Sequence, residues 1–181
     1  MTSGGGGGNT NSDWKKVERA DPANKQVVFL GWPEGVEAHN RLEQLEAYFK
    51  NAFPTFRPLS FCNEYKGFFT NRTLGQAAYA NFSTADEVRK FLTAFKESGS
   101  ELTTKGKTLR VAQARTKYRK ARNWALRKAL NLVKAAAGTG CTTELDWKER
   151  QVTVNKVAAF VQKPGEKTGT FENNFAHLAL P

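Results

Sequence analysis

The chain has 181 residues, 39% hydrophobic and 25% charged, enough for one good-sized domain or a smaller one with extensions. No apolar run approaches the roughly 20 residues of a membrane span, and the glycine-rich start lacks the basic and apolar stretches of a secretory signal, so no membrane is expected and the nucleus or cytoplasm is the default location. The net charge of +11 is concentrated, because no Asp or Glu stands between Glu101 and Glu144 while that interval carries eleven Lys and Arg, from Lys105 to Lys134.

A concentrated basic segment beside a folded core suits phosphate, so nucleic acid is the expected partner. The competing readings are a solvated helix, an anionic surface or an acidic protein.

Residues 1–24 read as a Gly-rich flexible lead, with 13–24 irregular and Trp14 as their one large apolar group. Residues 25–32 alternate Val27 and Phe29 with Val28 and Leu30, a strand apolar on both faces and therefore central. Ala38, Leu42, Leu45, Phe49 and Ala52 line one helical face, which Pro54 closes. Residues 56–62 form a second strand, and Pro58 places it at a sheet edge because proline cannot donate to a ladder. A long loop over 63–74 carries Tyr65, Lys66, Phe68, Phe69 and Arg72.

The next stretch combines a strand and a helix. Ala78, Ala80 and Phe82 alternate with Ala77, Tyr79 and Asn81, so small core-facing residues back a tyrosine on the other face. Thr84 stands three residues before Glu87, the spacing of a capping box. Val88, Phe91, Leu92 and Phe95 then share one helical face, and Gly99 stops the helix. Residues 107–114 make a fourth strand, with Leu109 and Val111 inward and Arg110 and Ala112 outward. The order β-α-β-β-α-β is the split βαβ arrangement. The expected fold class is α+β, ferredoxin-like: four antiparallel strands with two helices on one face and an open face floored by Phe29 and Tyr79.

Residues 25–115, as a domain, resemble the RNA recognition motif family. Its first ribonucleoprotein motif is similar to Val28-Phe29-Leu30-Gly31-Trp32-Pro33, with Phe29 in the stacking position. Its second is similar to Gly75-Gln76-Ala77-Ala78-Tyr79-Ala80-Asn81-Phe82, with Tyr79 at one stacking position. Gly75 replaces the family's basic residue, Gln76 its glycine, and Ala77 its other stacking aromatic. The resemblance implies single-stranded RNA binding on the sheet: Phe29 and Tyr79 stack bases, with Gln76 beside them. Arg110, Gln113 and Arg115 meet base edges or phosphates, while Lys66 and Arg72 clamp the backbone.

Residues 116–137 read as a basic amphipathic helix. Leu126, Leu130, Val133 and Ala137, with Ala125, Ala129, Leu132 and Ala136, make a wide apolar face. Lys117, Lys120, Arg127 and Lys134 lie opposite, with Trp124 among them. Its apolar face packs on the domain, or covers the sheet until RNA displaces it; Trp124 and the cations extend the RNA surface. Residues 138–181 remain unassigned, too short for a core of their own and compatible with the start of a truncated second domain or a protein contact. Strand propensity over 151–162 is their clearest signal.

Neither His39 nor His177 has a ligand-spaced partner, and Cys62 and Cys141 are isolated, so neither metal nor cofactor is expected. No nucleophile–base pair is visible, and an enzyme is not expected. Single-stranded DNA is not separable from RNA by charge. The competing function is an RRM-like protein-interaction module.

Overall fold

The computed structural model describes residues 10–69 and 75–167, with side chains from Trp14 onward. Among them the chain is α+β, with four α-helices and three antiparallel sheets. It divides into two compact units. One comprises residues 17–117, and the other takes the chain up to Lys16 and from Tyr118 on.

The first unit is built on a four-stranded sheet. Its strands are β1 (Gln26–Leu30), β2 (Ser60–Cys62), β3 (Ala77–Asn81) and β6 (Arg110–Gln113), ordered β2-β3-β1-β6. β1 is central, as its two apolar faces suggest, and β2 lies at the edge and starts only beyond Pro58. Helices α2 (Ala38–Ala52) and α3 (Ala85–Ser98) fall where periodicity places them. Thr84 Oγ1 accepts the Glu87 N–H at 3.1 Å, while the Glu87 carboxylate takes the Ser83 hydroxyl instead of closing the box. Gly99 ends α3 in the left-handed region at φ 64°, which glycine adopts without a Cβ penalty.

The fourth strand differs from its expected form. Residues 107–114 divide between β5 (Lys107–Thr108), which forms a hairpin with β4 (Thr103–Thr104), and β6. Lys105 and Gly106 both have positive φ, the requirement of a two-residue hairpin turn. Leu109 between the pieces is buried, so the inward parity of Leu109 and Val111 holds.

The core between sheet and helices is aromatic. Phe29, Phe49, Phe53, Phe82 and Phe91 pack around Ala78 and Ala80, with Phe49 and Phe91 centroids 4.9 Å apart. The two alanines supply the volume that these rings fill. Trp32 is also fully buried and donates its indole N–H to Gln44 Oε1 at 2.9 Å.

The lead is not irregular within its described part. It forms α1 (Thr10–Ala20) and a 3-10 turn, Pro22–Lys25. Asp21 caps that turn, and Pro22 supplies a fixed φ where no N–H is needed. The Asp21 carboxylate is 2% exposed and accepts the backbone N–H groups of Ala23 at 3.0 Å, Phe68 at 3.2 Å and Lys117 at 2.7 Å. One side chain therefore joins the start, the long loop and the end of this unit.

The second unit joins two stretches that the sequence reading keeps apart, the basic helix and the unassigned residues after it. Helix α4 (Lys117–Ala137) has the expected span. Beyond it stand β7 (Thr143–Asp146), β8 (Gln151–Val154) and β9 (Val157–Val161), a three-stranded antiparallel sheet. Val152, Val154 and Phe160 pack against Leu126, Ala129, Val133 and Ala137. The tail thus has a core because α4 supplies half of it. Leu132 and Ala136 are exposed, so the buried stripe of α4 is narrower than its apolar sequence face. At the other end of this unit, Trp14 stacks on Tyr118 with centroids 4.5 Å apart.

Candidate nucleic-acid interface

The two rings expected to form one stacking platform lie on opposite faces of the four-stranded sheet. Residues directly opposite each other in an antiparallel ladder share a face. Tyr79 pairs with Val28, whereas Phe29 pairs with Ala78 and Val111. Phe29 consequently points among the helices and is 0% exposed. This corrects the expectation of Phe29 on an open face. Val27 and Val28 are equally apolar, so composition alone left the strand's parity open.

Tyr79 does face away from the helices, but it is only 6% exposed. Ala23 of the 3-10 turn, Val28, Ala77 and Ala114 cluster with it, and the Tyr65 ring lies 6.4 Å away. Burial, and secondarily the nearby Cys62, raise the pKa of its phenol. The Tyr65 phenol is pushed up as well, by burial first and the Asp21 charge second. Its hydroxyl donates to the Arg115 carbonyl. The expectation of an open sheet face is therefore corrected as well: the chain's own turn and loop cover its middle.

The polar residues assigned to that face are dispersed. Gln76 is exposed in the turn before β3, and Arg110 is exposed at the start of β6. Gln113 is partly buried and donates to Asn24 Oδ1 at 3.2 Å. Arg115 is partly buried, and Lys66 is exposed with its backbone N–H on Gln26 Oε1 at 3.0 Å. Arg72 lies outside the described residues. Gln26 itself is 1% exposed and bonds Asn81 Oδ1 at 2.8 Å, a buried amide pair that stiffens the centre of the sheet.

In the second unit, the exposed side of α4 has a different character. Trp124 is 62% exposed, with the Lys128 ammonium 5.0 Å from its ring centroid. Arg127 and Lys134 are exposed on the same side, and Lys120 is half-buried there; Lys117, at the head of the helix, is exposed. With 3.6 residues per turn, positions 120, 124, 127, 128 and 134 fall within one arc opposite Leu126, Ala129 and Val133.

A second tryptophan, which the sequence reading did not single out, adjoins this arc. Trp147 stands in the turn between β7 and β8, where Asp146 Oδ1 accepts the N–H groups of Lys148 at 2.9 Å and Glu149 at 3.0 Å. Trp147 is 44% exposed. The Arg127 guanidinium lies 5.4 Å from its ring and that of Arg150 lies 5.7 Å away. Both distances fall in the cation–π range. Asp followed by a bulky residue and two polar ones is a turn signal that could have located this loop, but nothing in sequence links it to Arg127.

The second unit therefore offers indole rings and cations on one exposed surface, while the four-stranded sheet offers neither free ring. Such a surface can stack planar bases and neutralise phosphates. Among the described residues no helix is long and apolar enough to cross a membrane, and no three His, Cys, Asp or Glu side chains gather as a metal site would require. In comparisons with known proteins, the chain matches no family model and no curated protein.

Proposed function

We propose that the protein binds single-stranded RNA through the exposed basic face of α4 and the Trp147 turn, with the unit of residues 17–117 as an RRM-like scaffold. The scaffold reading is supported by the order β1-α2-β2-β3-α3-β6 and the neighbours β2-β3-β1-β6, which suit a ferredoxin-like split βαβ sheet. The binding reading is carried by one observation: Trp124, an exposed indole, stands among cations on a helix that contains no acidic residue. An exposed tryptophan contributes nothing to a core, and a base is a suitable planar partner for it. Stacking on one ring contributes about 1–3 kcal/mol per base.

The test is fluorescence anisotropy of a labelled mixed-sequence single-stranded RNA with the full chain. The double variant Trp124→Ala, Lys128→Ala is expected to bind at least about tenfold more weakly. Tyr79→Phe, which keeps its packing, is expected to bind as the wild type does. Equal affinity of the double variant and the wild type would overturn the reading.

A second reading, an RRM-like protein-interaction module, is favoured by the covered sheet face and by Leu59. That residue is 72% exposed beside the edge strand β2. Salt separates the two. RNA affinity should fall with a log–log slope of about −0.7 for each phosphate contacted, whereas an apolar protein contact should be nearly insensitive.

A further inference from the structure

The turn after β7 holds an arginine in unusual surroundings. Arg150 has a positive φ of 55°. Its Nε and Nη2 donate to Gln162 Oε1 at 2.9 and 2.7 Å, and its Nη1 donates to Asn123 Oδ1 at 2.8 Å. Gln162 is 3% exposed, and its Nε2 donates to the Arg122 carbonyl at 3.0 Å, so the acceptor that orients Arg150 is itself fixed. These bonds use three of the five N–H groups of a guanidinium.

All three bonds go to neutral amides, and among the described residues no carboxylate pairs with Arg150. Burial is the largest influence lowering its pKa, followed by the charges of Arg122 and Arg119. A guanidinium nevertheless stays protonated near neutrality. A purely structural tie between the turn and α4 would not need the two N–H groups of the fork that these bonds leave over. The arrangement keeps a planar fork pre-oriented and, among the described residues, without a carboxylate partner, which is what a tetrahedral oxyanion requires of its receptor.

We propose that Arg150 is a phosphate site that takes an internal phosphodiester of the bound strand. This rests on the RNA-binding reading above and assigns one of its backbone contacts. Trp147 beside the site would then stack the adjoining base. A terminal phosphate monoester offers the same oxygens, so the experiment separates the two sources.

The probe is an oligouridine of about 12 nucleotides, within the span of a single-strand site, labelled at its 3′ end and bearing either a hydroxyl or a phosphate at its 5′ end. The wild-type chain is expected to bind both forms alike. Arg150→Gln should weaken both by roughly fivefold or more and flatten the salt slope by about 0.7, the increment for one phosphate on a single strand. Arg150→Lys should retain the slope but not the full affinity, because a lysine lacks the fork. As a check that needs no variant, the oligonucleotide should protect Arg150 of the wild-type chain from phenylglyoxal, read by peptide mass spectrometry.

Wild-type binding with no Arg150 protection, or an Arg150→Gln variant that folds and binds within twofold of wild type with an unchanged slope, overturns this site and leaves the RNA reading standing. Binding only of the 5′-phosphorylated form overturns the internal-phosphodiester assignment. Absence of wild-type binding to either form overturns the RNA reading and this site with it.

Discussion

The outer face of the four-stranded sheet and the outer face of α4 both carry aromatic residues, yet the chain treats them in opposite ways. Tyr79 on the sheet is 6% exposed and covered by a capped turn, whereas Trp124 on α4 is 62% exposed beside a lysine. The sheet's cover is specified in detail, since the buried Asp21 carboxylate accepts three backbone N–H groups from separate segments. No comparable cover lies on Trp124 among the described residues. The contrast teaches that an aromatic residue in a family-like position is no guide to exposure until the segments outside the motif are placed.

The largest expected effect tests the sheet side of this contrast. Phe29→Ala removes a fully buried ring from the aromatic core and should cost about 3–5 kcal/mol of stability in urea unfolding. Were Phe29 an exposed stacking ring, the loss would stay within about 0.5 kcal/mol. Asp21→Ala is expected to cost about 2–4 kcal/mol, because bonds to an ionised group are stronger than neutral ones and their buried donors would be orphaned. It should also raise hydrogen exchange in the Pro22–Lys25 turn. A gain in RNA affinity on Asp21→Ala would break the comparison, since it would make Tyr79 a latent platform.

The smallest effect concerns pH. Burial, and then the charge of Glu101, push the Tyr48 phenol up from 10.0 to about 12, and its hydroxyl donates to the Ser100 carbonyl. In this pH range the unfolded chain loses the Tyr48 proton before the folded chain does. Tyr48 therefore contributes stability that is fully present below pH 10 and is lost as pH rises toward 12. Tyr48→Phe should be about 1 kcal/mol less stable at neutral pH, and its stability should decline less steeply above pH 10. Urea midpoints measured across that range check this, and parallel declines of variant and wild type would show that Tyr48 is not the group responsible. Tyr65 and Tyr79, raised by burial as well, leave a residual slope in the variant.

Much of the first unit was legible. The helix spans, the Thr84 cap, the Gly99 stop, the edge position of β2 and the inward parity of Leu109 all followed from period, capping chemistry and proline. Those are local properties, fixed within a few residues. The Asp21-Pro22 cap was equally local and was overlooked because the polar lead around it has no hydrophobic period. The parity of β1 was not legible, because Val27, Val28, Phe29 and Leu30 serve either face equally well. The second unit escaped for another reason. Val152 and Val154 carry the correct alternation, but a small sheet becomes stable only against a partner, and nothing in the sequence says whether the apolar face of α4 packs on this sheet or on the first domain.

The sequence alone determined where the charge lies, where α2, α3 and α4 begin and end, and that Trp124 falls on the polar side of α4, since these depend on neighbours one turn away. Tertiary structure decided which aromatic residues stay accessible. It buried Phe29 through strand pairing, covered Tyr79 through bonds spanning up to 96 residues, and brought Arg150 of one turn against Asn123 of a helix. Register and long-range packing choose among faces that composition leaves equivalent, because the free-energy difference between them resides in contacts between distant segments.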